Sequence, residues 1–249
     1  MPAVFVNCIT VVLGSIIGLT FAKKISGKMT TVIQDAAGII TVILGLQMAF
    51  QFKNVIYLSL SLFLGGILGT VIDLDNKIEN LGDNIEKLFF KKKVEQSADG
   101  TAVKSSFGYA FLNASCLFCV GAMTILGSFD AGIRNDYTVI FTKSVLDGFM
   151  AITFAASMGI GTIFSALAIL VYQGALTILS TFLQPYVTEQ MLAEITGCGG
   201  AMIVMIGINL LGLKKIKTAN YLPSILIVVL FFLCEPGFMY IKDFITNLF

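Results

Sequence analysis

Stretches of about 20 apolar residues, each long enough to cross the roughly 30 Å hydrocarbon core of a bilayer as an α-helix, recur along this 249-residue chain. Short breaks carrying charge, Gly or Pro separate them. The runs cover residues 4–21, 31–50, 55–72, 107–126, 137–156, 162–183, 194–213 and 221–233. The expected fold is an all-α integral membrane protein with about eight transmembrane helices. The fifth and sixth runs are separated only by residues 157–161, a stretch too apolar for an ordinary loop, so a hairpin or broken helix is expected there. At 57% hydrophobic and 12% charged residues, the chain lacks the polar groups to cover a soluble globule, which excludes disorder and nucleic-acid binding. No Lys or Arg precedes the first run, so it does not read as a cleavable leader.

Eight spans place the connecting loops alternately on two sides, and the basic residues divide unevenly between them. One side holds Lys23, Lys24, Lys28, Lys77, Lys87, Lys91, Lys92, Lys93, Lys104, Lys214, Lys215 and Lys217; the other holds Lys53, Arg134 and Lys242. The positive-inside rule makes the first side cytoplasmic and puts both termini outside. The longest loop, 73–106, contains Ile78, Leu81, Ile85, Leu88 and Phe89 at helical spacing opposite Lys77, Glu79, Asp83, Glu86 and Lys87. An amphipathic helix on the cytoplasmic interface and a solvated connector helix both fit that pattern. Residues 95–106 read as a tether.

The sequence also repeats. Shifted by 162 positions, residues 29–48 fall on 191–210 and match at Met29/Met191, Ile33/Ile195, Gly38/Gly200, Val42/Val204 and Gly45/Gly207, with Gln47 over Asn209. Spans one to three then correspond to spans six to eight. Five spans, an odd number, separate each pair, so the halves run through the membrane in opposite directions. The expected organisation is repeat A over 1–73, the loop 74–106, spans four and five over 107–157, and repeat B over 158–249. Inverted repeats underlie alternating access in many secondary transporters, with the solute site near the midplane; duplication that merely builds a symmetric scaffold is the alternative.

Ionisable groups inside a membrane cost about 3 kcal/mol or more to insert and are functional candidates for that reason. Lys143 and Asp147 stand four apart on one face of the fifth span, where they can pair. The pair reads either as a proton, ion or charged-solute site, or as a self-neutralised lock between helices; Lys143, nearer the outer end, can also snorkel. Asn7, Gln47, Asn113, Gln173 and Asn209 add side-chain amides at depth, each a candidate for orienting a solute or for interhelical hydrogen bonding. Gly14/Gly18 and Gly65/Gly69 have the spacing of close helix packing, within the chain or in a homodimer. In residues 121–132 a span dissolves into Gly, Ser and Asp, either as an anion- or solute-binding break or as a plain loop. The chain has no His, and its five cysteines lie in apolar runs; Cys116 and Cys119 lack partner ligands for zinc and read as packing residues. No metal, cofactor or enzymatic constellation is expected.

The stretches 117–132 (LFCVGAMTILGSFDAG), 143–148 (KSVLDG), 159–165 (GIGTIFS), 172–174 (YQG) and 209–216 (NLLGLKKI) resemble the YdfK/YqgA-like bacterial membrane proteins over essentially the whole chain. That resemblance implies a multi-pass protein of the bacterial cytoplasmic membrane; the family carries no assigned function and supplies no site residues. The reading favoured by the residues is a secondary transporter of a small polar or charged solute or ion, with Lys143, Asp147, Asn7, Gln47, Asn113, Gln173 and Asn209 as candidate binding residues. An ion channel, or a scaffold or sensor acting through the cytoplasmic loop, are the alternatives.

Overall fold

The structure is a computed structural model and describes residues 1–24, 27–78, 80 and 107–232. Among the described residues there are helices and turns but no strands. Six helices are long and apolar enough to cross a membrane: α1 (Pro2–Lys24), α2 (Gly27–Ala49), α3 (Val55–Ile72), α6 (Thr138–Met158), α7 (Gly161–Leu183) and α8 (Glu189–Leu210). Between α3 and α6 lie α4 (Phe107–Cys119) and α5 (Ala122–Phe129), which runs on through a π-helical turn (Asp130–Arg134); Phe107–Cys119 and Met123–Arg134 are bent by 58° and count as a seventh crossing if taken as one span. The last described helix, α9 (223–232), continues the apolar stretch Thr218–Phe232, which is shorter than the other spans. Most of the expected amphipathic helix and tether, residues 79 and 81–106, and the basic residue Lys242 fall outside the described residues.

Lipid reverses the usual surface logic. Phe5, Ile9, Leu13, Ile16 and Ile17 of α1 are exposed, while Val4, Asn7, Val11, Gly14, Ser15 and Gly18 form the buried stripe. The stripe keeps the three-to-four-residue period of a packed helix face, but small and polar residues mark it, because an apolar outward face is at no disadvantage in hydrocarbon. The same spacing governs α6, whose buried stripe runs Ile140, Lys143, Ser144, Asp147, Ala151, Phe154, Ala155, Met158.

Two close helix pairs build the core. A Cβ on Gly14 would lie 2.3 Å from Gly148 O, and one on Gly18 would lie 2.2 Å from Ile152 O, so α1 and α6 meet backbone to backbone. The α2–α8 pair is equally tight and reciprocal. A Cβ on Gly45 would meet Val204 N at 2.6 Å and Gly200 O at 2.9 Å; one on Gly207 would meet Val42 N at 2.8 Å and Gly38 O at 3.0 Å. Gly65 and Gly69 of α3 press on Ser224 and Asn220. Both G-x-x-x-G pairs therefore serve contacts within the chain. Of the spanning helices α8 is the most enclosed, with 72% of its apolar window buried against 22% for α3.

The helix breaks fall at glycines whose backbone other residues rarely adopt. Gly121 has φ 142° and separates α4 from α5; the run expected as one span over 107–126 is thus two helices at an angle. Gly159, with φ 95°, ends α6 and leaves only Gly159 and Ile160 before α7 begins, so the apolar break expected over 157–161 is a two-residue junction between helices that are each long enough to span.

Candidate functional site

Three helices bring polar side chains together inside the apolar bundle. Asn7, a turn and a half into α1, donates from Nδ2 to Asp147 Oδ2 at 3.1 Å and to Gln173 Oε1 at 3.0 Å. Asp147, near the middle of α6, also receives Lys143 Nζ in an i,i+4 ion pair. Gln173 lies on the buried stripe of α7 with Ser165, Ile169 and Thr177. All four residues are buried, Asn7 and Gln173 completely. Lys143 does not snorkel: its ammonium turns inward to Asp147.

The network is incomplete at two atoms. Asn7 Oδ1, an acceptor, and Gln173 Nε2, a donor, are buried and have no hydrogen-bond partner. A buried amide group left without a partner costs about 1–3 kcal/mol. Both atoms sit on amides already bonded to each other. Cys119, the last residue of α4 before the break at Gly121, is within electrostatic reach of both Lys143 and Asp147. A helix end thus approaches the ion pair inside the bundle.

The other candidate amides lie elsewhere. Asn113 of α4 is fully buried, bonds with the Tyr109 hydroxyl and leaves its Oδ1 without a partner. Tyr109 also bonds with Asn209. Asn209 folds the turn after α8: Nδ2 donates to Ile216 O at 2.8 Å, and Oδ1 accepts from Ile216 N at 2.6 Å. Tyr109 and Asn209 line a cavity of about 150 Å³ together with Leu112, Asp75, Lys214 and Lys215. Gln47 is exposed on α2 and joins neither group. The repeat register places Gln47 over Asn209, yet the two have different surroundings.

One buried ionisable residue escapes the sequence reading. Glu194 is 1% exposed, and its Oε1 accepts from Lys53 N at 3.0 Å and Asn54 N at 2.7 Å, tying α8 to the α2–α3 connection; Oε2 has no partner. In the sequence Glu194 opens an apolar run and so reads as a flank. The helix starts at Glu189, capped by Thr188, whose side chain accepts from Met191 N at 3.2 Å.

Apolar spanning helices around a buried polar cluster define a multi-pass membrane protein. Residues 2–233 match the family model described as protein of unknown function (DUF554). The chain belongs to this family. It is 33% identical over 225 residues to the uncharacterized membrane protein YdfK of Bacillus subtilis, covering 89% of this chain and 91% of that protein. To the uncharacterized protein YqgA of Escherichia coli it is 23% identical over 223 residues, 90% of this chain and 92% of that one. No solved structure matches.

Proposed function

We propose that this chain is a secondary transporter of a small polar solute across the bacterial cytoplasmic membrane, with Asn7, Lys143, Asp147 and Gln173 forming its central site. The observation that carries the reading is a buried cluster from α1, α6 and α7 with an acceptor and a donor left unfilled. Polar groups at such depth are costly, and they persist where a solute or ion uses them.

Inverted symmetry supports the same reading. Exchanging each residue of the α2–α8 contact for its counterpart 162 positions away turns Gly45 against Val204 and Gly200 into Gly207 against Val42 and Gly38, and both contacts exist. Hydrogen bonds pair in a related way: Gln34 of α2 reaches Leu210 O at the end of α8, and Glu194 of α8 reaches the chain just past the end of α2. We read α1–α3 and α7–α9 as the two repeats, with α4–α6 completing eight crossings and both termini outside. Asn7 belongs to the first repeat, Gln173 to the second and Asp147 to the helix between, so relative motion of the repeats acts on the site directly. Broken helices beside a buried site are a recurring feature of such carriers.

Uptake into proteoliposomes tests the function: saturable flux of a solute by wild type, abolished by Asp147→Asn, supports a carrier. Non-saturating conductance favours a channel. Absence of any flux, with Asp147→Asn unchanged in stability and binding, removes the transport reading. Cysteine labelling at positions 28, 92 and 215 tests the topology; outward exposure of any two overturns eight crossings with outside termini.

A further inference from the structure

We infer that the solute taken by this site is an uncharged molecule presenting both a hydrogen-bond donor and an acceptor, as hydroxyl and amide compounds do. The inference rests on the transport reading above and names its substrate class.

Charge balance is the first step. The only ionised groups in the cluster are Lys143 and Asp147, one of each sign, paired within one helix and each less than a tenth exposed. A net-charged solute would bring one uncompensated charge into a low-dielectric interior. Asp147 Oδ2 already accepts from both Lys143 and Asn7. That oxygen is therefore filled from within the bundle.

The vacant roles belong to amides. Asn7 Oδ1 can accept one hydrogen bond and Gln173 Nε2 can donate. The two side chains are joined at 3.0 Å through Asn7 Nδ2 and Gln173 Oε1, so the unfilled atoms belong to one hydrogen-bonded unit. A molecule that donates to the first and accepts from the second completes it without adding charge. Water is the smallest such molecule, and a hydroxyl or amide of the solute takes its place. A metal cation would use Asn7 Oδ1 but would repel the Gln173 N–H donor, while an anion would use Gln173 Nε2 but meet the oxygen of Asn7.

A separate cavity near α4 is lined by charged as well as uncharged polar groups. Its uncharged polar groups, Tyr109 and Asn209, connect through hydrogen bonding to Asn113, whose Oδ1 is a third buried acceptor without a partner. Lys214 and Lys215, both exposed, and the half-buried Asp75 line the same cavity.

The test uses purified full-length protein and three osmolality-matched probe sets: uncharged (glycerol, urea and acetamide), anionic (glutamate and sulfate) and cationic (choline and sodium as chlorides). Thermal midpoints are read for wild type and Gln173→Met, and uptake of radiolabelled probes is read in liposomes. An uncharged probe is expected to raise the wild-type midpoint by about 2 °C or more, to enter faster than in protein-free liposomes, and to do neither with Gln173→Met. Should Gln173→Met fail to fold, Gln173→Glu serves, because it keeps the shape and removes the N–H donor. A response to charged probes alone overturns the inference and leaves the transporter reading standing. No response to any set in either assay overturns both.

Discussion

The Glu194 carboxylate and the Asn54 backbone amide lie 2.7 Å apart, joining the first turns of α8 to the residue that caps α3. The same oxygen holds Lys53 N, so one buried side chain fixes the whole α2–α3 connection. Removing it leaves two amides without their acceptor. Glu194→Ala is expected to destabilise the protein by about 2 kcal/mol or more, whereas Glu194→Gln, which keeps the accepting oxygen, is expected to lose less. Thermal unfolding in detergent reads the difference; equal losses would show that the oxygen is not the fastening group.

Gly45 and Gly207 occupy mirrored places in the α2–α8 contact, so their alanine variants should behave alike. Each new methyl would stand within 3 Å of backbone on the other helix, and overpacking of this kind costs about 1–3 kcal/mol. Gly174 is the contrasting case: its nearest neighbour would be Met1 Cε at 3.7 Å, an ordinary contact. Gly174→Ala is expected to be neutral or stabilising by up to about 1 kcal/mol through helix propensity. Unequal losses at Gly45 and Gly207 would count against the mirrored packing.

Asp136 lies two residues before α6, outside the spanning segment, its Oδ1 accepting from the N–H of Thr138, the first residue of the helix, at 2.9 Å. That backbone bond, with a side-chain bond to Thr138, holds its carboxyl below the usual value of 3.8. A carboxylate whose folded pKa is depressed contributes stability that is present above 3.8 and lost as pH falls through the lower folded value. Hydrogen exchange in the first turn of α6 is therefore expected to quicken as pH falls below about 3.8, after correction for intrinsic rates. Asp136→Ala should show the quicker exchange already at neutral pH.

The hydropathy pattern was enough to locate the six long spanning helices found among the described residues, because a bilayer imposes length and polarity on every segment that crosses it. Lys143, Asp147 and Gln173 were legible for the same reason: a charge or amide inside an apolar run has few places to go. Their assembly with Asn7 was not, since it depends on which helices adjoin, and one sequence carries no record of that. Glu194 was missed because an acidic residue at the start of an apolar run looks like its edge. Gly121 heads the stretch 121–132 that the sequence marks as a break, but the 58° bend there was not legible, because hydropathy has no directional content. Asn209 and Gln47 align in the expected repeat register but differ in their surroundings, because a turn closes on one of them and not on the other.

The Lys143–Asp147 pair separates architecture from function by experiment. Deleting one partner strands the other charge in the bundle, at a cost of about 3–5 kcal/mol, whereas replacing both by apolar residues of similar volume is often neutral or stabilising. Lys143→Met and Asp147→Leu are each expected to lower the unfolding midpoint, and Lys143→Met/Asp147→Leu to recover most of the loss, giving a large coupling energy in the double-mutant cycle. Stability alone does not separate the two readings, because a lock and a transport site both predict that recovery. Flux does: if the pair is only a lock between helices, the double variant transports as wild type does, while if Asp147 orders Asn7 toward the solute, the double variant is folded and inactive. Removing both charges takes away the acceptor that holds Asn7 Nδ2 at 3.1 Å, so a stable but silent protein is the expected result.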